Sequence, residues 1–477
     1  MSILVIDVGT SGVRSAVVNT DGTLRFDVRQ ANLPDSPMPG LVEFDATILW
    51  EAVQATALAA LAQADDVSAI GVTNQRASVI AWDRATGVPT GPGLGWQDLR
   101  TLGDCLVWQA EGLRFSPNGS STKVAHLLAN AGAGDFCVGT VDSWIIWNLT
   151  EGRNHVTDPS NAGVTELTEI TAATWSPDIC ATLGIPLTSL PTIVDSIGVV
   201  GEASALPRSL PIAGIAGDQQ ASLIGQGCVT SGAAKITFGS GGMLDVCVGT
   251  TRPSFDKQSD NGTFPIVAWR GNNETVWGIE AVMLAAGTNI EWLVEDMGII
   301  ASPAESHDLA ASVETTDGVI YVPALLGLGT PHWDFGARGT LLGLTRGSTK
   351  AHITRAVLEG VANRGADLVE AAEEDTGLTL ATLRIDGGMS VNPTFVQALA
   401  NATGRTVETA TEADSTTLGA AYLAGVATGI WPDLSTAASE TSPRSIVDPN
   451  AEVDRDKWKD AIGRSGEWYP ELSGIKF

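Results

Sequence analysis

Positive charge is scarce in this chain. Its 477 residues carry 27 Lys and Arg against 55 Asp and Glu, a formal net charge of −28. Such a balance argues against nucleic acid or an anionic membrane surface as a partner. It leaves a phosphate ligand open, because backbone N–H groups and a metal can supply a local positive field. Cysteine is also sparse. Cys105, Cys137, Cys180, Cys228 and Cys247 are scattered, odd in number and without a Cys-x-x-Cys pair, which reads as reduced packing thiols. No apolar run is long enough to span a bilayer, and the chain opens on a strand with no basic leader region. The expected location is the cytoplasm. Low-complexity tracts, a Walker-type Gly-Lys-Ser/Thr and a strand–loop–helix dinucleotide fingerprint are missing too.

What is present fits a globular protein with more than one core. Hydrophobic residues make up 44% of the chain and charged residues 17%. A chain of this length exceeds one compact core, so two domains are expected, 1–221 and 222–477. The 53 glycines suggest tight turns and close backbone–ligand approaches.

The opening reads as a meander: a strand to Asp7, the turn Val8–Gly12, a returning strand to Asn19, and a third strand after Asp21-Gly22. Asp45 is expected to cap a helix through Gln63, with Ile48, Leu49, Val53 and Leu58 as its apolar positions. Strands follow at Ser68–Val72 and Ser78–Trp82, then an irregular stretch over Gly91–Ser121. Val138–Trp147 is a buried segment with Asp142 in apolar company. The hairpin layout returns at Ala233–Val248 around Gly239-Ser240-Gly241-Gly242, which points to an internal duplication. Helices are expected near Ala281–Met297, from Ala351 to about Ala372, over Asn392–Ala402 and over Ser415–Ala427.

Three Gly-rich loops at strand ends carry the chemical signal. In Asp7-Val8-Gly9-Thr10-Ser11-Gly12-Val13-Arg14 the glycines let backbone N–H groups turn on an anion, Thr10 and Ser11 add hydroxyls, and Asp7 can hold water on Mg²⁺. Gly239–Gly242 repeats the logic. Asp386-Gly387-Gly388 is the third, with Asn392 placed to cap the next helix or to bond a ligand. The run Pro211–Gly217 ends in Asp218, which places a carboxylate at the carboxyl edge of a sheet, where ligands of α/β proteins sit. Taken alone, Asp218 reads first as the N-cap of a helix from Gln219; its second reading is a general base.

Beyond these loops, Thr73-Asn74-Gln75-Arg76, Trp96-Gln97, Gly139–Trp144 and Ile215–Gln220 together resemble the FGGY family of carbohydrate kinases, above all its glycerol kinase branch. Gly339–Leu344, His352-Ile353 and Ala356–Glu359 fit the family's second signature; Ser120–Val124 fits part of the first, with His126 where the family has Trp. The resemblance runs from Ile3 to about Gly429. It implies an α/β fold of two actin-like (ribonuclease H-like) domains around a cleft, with ATP on the second domain's side. It implies Asp218 as the base, and Asp7 with Asp218 at Mg²⁺. Thr10, Ser11, Arg14 and Ser240 would approach the terminal phosphates, and Gly287, Gly388 and Asn392 would border the nucleotide. Arg76, Trp96 and Gln219 would line the acceptor pocket.

Three positions of that pocket depart from the branch. Ala77 stands where glycerol kinases have an acid, Asn118 where they have Tyr, and Met243 where they have Phe. The expected partners are therefore ATP or ADP and a small polyol or sugar, with a homodimer as an open alternative. A ketose kinase of the same family and an actin-like ATPase without a metabolic substrate are the competing readings. Some bacterial glycerol kinases bind a sugar bisphosphate in a Gly-rich basic loop; here Gly201–Leu210 has one Gly and only Arg208 as a cation, a poor anion site.

Overall fold

The computed structural model describes residues 1–410, 415–439 and 442–475. Its frame is one 13-stranded sheet in which the same arrangement occurs twice. In the first half the meander Ser2–Val8, Gly12–Asn19 and Leu24–Ala31 is antiparallel, and the strands Val67–Asn74 and Leu210–Gly217 then add in parallel to Ser2–Val8. The second half repeats this. Ala234–Phe238, Gly242–Gly249 and Glu274–Met283 are antiparallel, with Phe264–Gly271 at their edge. Thr382–Asp386 and Thr406–Thr409 add in parallel to Ala234–Phe238. Because these parallel strands share a direction, Asp7, Arg76 and Asp218 emerge at one edge of the first half, and the loops 239–241 and 387–388 at one edge of the second.

Two hydrophobic cores lie within the halves, one drawn from residues 4–215 and one from 234–407. A third joins them. It packs Ile3, Val5, Ala69 and Ala216 against Leu418–Ala424 of the helix Ser415–Ala427. That helix lies so close to the helix Asp218–Gly225 that a Cβ on Gly419 would collide with the Ala221 carbonyl. Among the described residues no helix is long and apolar enough to cross a membrane, and all five thiols are free and buried.

The sequence reading needs several local corrections. Asp45 does cap the helix Ala46–Leu61, accepting from the Thr47 and Ile48 N–H groups at 2.7 and 3.1 Å. Its buried stripe, however, is Leu49, Ala52, Val53, Thr56, Ala57 and Ala60, the i, i+3, i+4 series. Ile48 and Leu58 face solvent; choosing the largest aliphatics overrode the helical period. The stretch Gly91–Ser121 contains a helix, Leu102–Ala110. Val138–Trp147 divides into the strand Phe136–Thr140 and the helix Val141–Leu149, a junction that an unbroken apolar run conceals. The segment 281–297 likewise splits, into the end of the strand Glu274–Met283 and the helix Thr288–Glu295. Arg208 donates both guanidinium ends to the Ala64 and Asp65 carbonyls at 2.6 and 2.8 Å, at the end of the helix Ala46–Leu61.

Candidate active site

The strand Leu210–Gly217 delivers Asp218 as the first residue of the helix Asp218–Gly225. Asp218 does not cap that helix; Gly217 occupies the cap position and makes no side-chain bond there. One carboxylate oxygen, Oδ1, accepts from the Gln219 N–H at 2.8 Å and lies 3.6 Å from Arg76 Nε. Oδ2 accepts no hydrogen bond from the described residues. Burial is the dominant influence and raises the Asp218 pKa, with Arg76, the Gln219 N–H and Lys235 pulling the other way. The side chain keeps 32% exposure, so it is desolvated yet reachable.

Arg76 crosses the end of that strand. A Cβ at Gly217 would come within 2.6 Å of Arg76 Cγ, so only glycine lets the arginine pass. Its Nη2 donates to Glu280 Oε2 at 2.6 Å. Its Nη1 is buried with no partner among the described residues. An orphaned guanidinium N–H beside a carboxylate is a donor free to meet an oxygen lone pair.

Behind this pair is a charge cluster that the sequence reading missed. On the strands Ala234–Phe238, Gly242–Gly249 and Glu274–Met283, Lys235, Asp245 and Glu280 lie in register. Two acids directly opposite would repel. Lys235 pairs with Asp245 at 2.7 Å and Arg76 with Glu280, so the signs alternate. Lys235 and Asp245 are fully buried. Burial raises the Asp245 carboxyl, and Lys235 opposes the rise. Lys235 Nζ also donates to Gln219 Oε1 at 2.6 Å. An ammonium can only donate, so the amide oxygen must face it and Gln219 presents its NH₂ group elsewhere. One signal was available: each of three apolar strands carries a charge inside its run.

Trp96 stands where a pocket wall was expected, half-buried and fastened along its backbone. Its N–H donates to Ser78 Oγ at 2.9 Å, and its carbonyl accepts from Lys123 Nζ at 2.9 Å and Asn118 Nδ2 at 3.1 Å. Its indole Nε1 donates to Thr10 Oγ1 at 3.2 Å, which links this wall to the first Gly-rich turn. Burial lowers the Lys123 ammonium to about 8. Ala77 is buried at φ 61°, and Met243 shares a strand face with Asp245.

On the nucleotide side, Ser240 is exposed and its carbonyl accepts from the Ala286 N–H at 2.7 Å; the Gly287 N–H donates to the Gly239 carbonyl at 2.8 Å. A Cβ on Gly287 would sit 2.6 Å from that carbonyl, so the two loops clip together only through glycine. Ser11 is exposed in the first turn, where the Gly9 N–H donates to the Gly12 carbonyl at 2.9 Å.

Arg14, Asn392 and Gly388, also expected at the nucleotide, sit in different surroundings. Arg14 is buried, with Nε and Nη2 on Asp27 at 2.9 and 3.0 Å and Nη1 on Thr417 at 3.0 Å, a bidentate pair that ties it into the fold. Asn392 caps the helix Pro393–Thr403 through the Phe395 N–H at 3.2 Å and donates to Ser306 at 2.9 Å, so its amide is occupied on both sides. Of the double glycine, Gly387 has the left-handed backbone, φ 84°, pressed on the Phe238 carbonyl; Gly388 is open. Asp386 at that loop accepts from Ser222 of the Asp218 helix at 3.0 Å.

Among the described residues no three His, Cys, Asp or Glu side chains gather as a metal cage. Mg²⁺ that arrives on phosphates needs only one or two carboxylates and water, and Asp7 and Asp218 at one sheet edge suit that donor set.

Comparison with known proteins agrees with this geometry over nearly the whole chain. Residues 2–225 match the N-terminal domain, and residues 234–428 the C-terminal domain, of the FGGY family of carbohydrate kinases. A glycerol kinase of Trichlorobacter lovleyi is 41% identical, with 98% of this chain and 99% of that one covered. The crystal structure of Plasmodium falciparum glycerol kinase with ADP superposes with a TM-score of 0.90 at 28% identity, covering 100% of this chain and 99% of the other. A ligand-bound xylulose kinase from Lactobacillus acidophilus shares the fold, with a TM-score of 0.85 at 21% identity and 99% and 97% coverage.

Proposed function

The chain belongs to the FGGY family of carbohydrate kinases, and from that premise we propose that it moves the terminal phosphoryl group of ATP to a terminal hydroxyl of a small polyol or sugar. The observation that carries this is the pairing of Asp218, with one oxygen unbonded, and Arg76, with one N–H unbonded, at a single strand edge. Arg76 Nη1 and the Gln219 NH₂ group hold the acceptor by its oxygens. Asp218 Oδ2 takes the proton as the hydroxyl attacks. In a loose transition state that proton leaves late, so alignment outweighs basicity. Asp7 and Asp218 would hold Mg²⁺, which would supply charge neutralisation on the phosphates. Residues 1–221 carry the acceptor side and 222–477 the nucleotide side, in a cytoplasmic enzyme. Thr10, Ser11, Ser240, Gly287 and Gly388 border the phosphates and base mainly by backbone and hydroxyl groups.

Glycerol kinase is the class of acceptor chemistry that the full-length relatives support. Ala77 qualifies it. With no carboxylate at that position one substrate hydroxyl lacks a charge-assisted acceptor worth about 1.5–3 kcal/mol. A four- or five-carbon polyol or ketose that fills the space is the second reading. The test is ADP release with Mg-ATP across glycerol, longer polyols and ketoses. Acceptor-dependent ADP release is expected, with glycerol modest; turnover equal with and without every acceptor would overturn the kinase reading in favour of a plain ATPase.

A further inference from the structure

Behind the catalytic edge is a fully buried polar hub that touches neither expected ligand. Asp158 begins the short helix Pro159–Gly163. Its carboxylate accepts five bonds: from the Ser160 N–H at 3.1 Å, Ser160 Oγ at 2.9 Å, the Asn161 N–H at 3.0 Å, Asn161 Nδ2 at 3.0 Å and Ser196 Oγ at 2.7 Å. Asp158, Asn161, Asn74 and Ser196 are fully buried and Ser160 nearly so. Two of these groups reach on to the cleft. Ser160 Oγ gives its proton to Asp158 and accepts from the Gly217 N–H at 2.9 Å, one residue before Asp218. Asn161 and Asn74 exchange a reciprocal pair of amide bonds at 3.0 and 3.1 Å, and Asn74 Nδ2 also donates to the Gln75 carbonyl at 2.9 Å, one residue before Arg76. Asp158 Oδ1 accepts from the Asn161 backbone N–H, and the Asn161 side chain turns its donating NH₂ group to the same oxygen, which leaves its amide oxygen for Asn74.

We propose that Asp158, acting through Ser160 and Asn161, is a positioning residue that fixes the ends of both cleft strands and so aims Asp218 and Arg76 at the acceptor hydroxyl. The inference rests on the reading of Asp218 as the base. Its physical content is register. The ladder between the two strands ends at Asn74 and Gly217; there the hub holds the Gly217 N–H and the Gln75 carbonyl, while the Gln75 N–H donates to the Val8 carbonyl of the neighbouring strand at 2.8 Å. A shift of about 1 Å in a reacting group can cost on the order of 10²-fold in rate.

The test compares Ser160→Ala, Ser160→Thr and Asp218→Asn as full-length enzymes, with turnover expressed per nucleotide-binding site titrated with a non-hydrolysable ATP analogue. Ser160→Ala is expected to lower kcat by roughly tenfold or more with KM for Mg-ATP within about twofold, and Ser160→Thr, which keeps the hydroxyl, to restore most of it. A purely structural role would lower the titrated fraction and the melting temperature while leaving kcat per site unchanged, and that result would overturn the proposal. Should Ser160→Ala fail to fold, Ser160→Cys carries the same expectation with a smaller loss, and normal kcat per site there overturns it equally. Near-normal turnover in Asp218→Asn would instead remove the base assignment, a failure distinct from that of the hub.

Discussion

The two walls of the cleft are built from different materials. The acceptor wall is made of side chains: Arg76, Asp218 and Gln219 are held by a lattice of buried charges, and each keeps one polar atom unspent. The wall proposed for the nucleotide is made of backbone. Its glycines at 241, 287 and 387 press loop on loop, while the Arg14 and Asn392 side chains bond within the protein. The difference is instructive. Backbone can meet the same phosphate group without choosing among acceptors. Side chains can be exchanged one at a time, and Ala77 is such an exchange. Changes to the acceptor wall should therefore alter which substrate is used, and changes to the nucleotide wall should only weaken binding.

The largest expected effect breaks the lattice. Lys235→Met leaves Asp245 buried without its cation and should destabilise the fold by about 3–5 kcal/mol, read from urea unfolding. A loss below the range of ordinary surface substitutions would mean that water reaches the cluster. Next comes the backbone wall. Gly287→Ala places a methyl against the Gly239 carbonyl; overpacking of about 1–3 kcal/mol should appear as a raised KM for ATP with the acceptor KM unchanged. Equal rises in both constants would erase the distinction between the walls.

A gain is expected from Ala77→Glu. It restores an acceptor and should raise kcat/KM for glycerol by about tenfold, the equivalent of roughly 1.4 kcal/mol. A wild type that prefers glycerol to every longer polyol, with no gain in the variant, would show that other groups already meet those hydroxyls. The smallest effect concerns pH, and only the acceptor half. Burial, with the charge of Asp158 adding to it, raises Asp142 from its usual range to about 7. The folded state therefore holds a proton that the unfolded state releases, and stability should fall as pH rises through about 4 to 7. His155 runs the other way: burial lowers it to about 4, so its term rises with pH between about 4 and 6.5. Asp142→Asn should lose less melting temperature than wild type as pH rises from about 4 to 7, the window in which the wild-type carboxyl holds its proton only in the folded state. Parallel curves would contradict the buried proton.

Much of this was legible in the sequence, for reasons that differ by residue. The duplicated hairpins, Asp218 at a strand end and Arg76 in its motif could be read because short periodic strands and punctuating Gly-Asp or Asn-Gln-Arg are local signals. The long helix expected from Ala351 to about Ala372 is present as Lys350–Thr376, one turn longer, and ends at the left-handed Gly377. Lys235, Asp245 and Glu280 were not legible, since their meaning depends on register across three strands, two of them with residues 250–273 in between. Asn392 was given both a cap and a ligand; its bond from the Phe395 N–H makes the cap visible, and its Ser306 partner was out of reach of the sequence. The helix Leu102–Ala110 was lost among exposed apolar residues; Cys105 is the only one it buries. Asp158 was missed because Ser196 and the two strand ends that its hub holds come from distant parts of the chain, although Ser160 and Asn161 are only two and three residues on.

The central claim is that Asp218 takes the acceptor's proton while backbone holds the nucleotide. Asp218→Asn, assayed for turnover and for binding of a non-hydrolysable ATP analogue in one preparation, addresses both parts. Turnover should fall by at least about 10²-fold, as for a general base, with analogue affinity and melting temperature near those of wild type. Near-normal turnover in a correctly folded variant would contradict the account and leave Asp218 as a structural residue at the head of its helix.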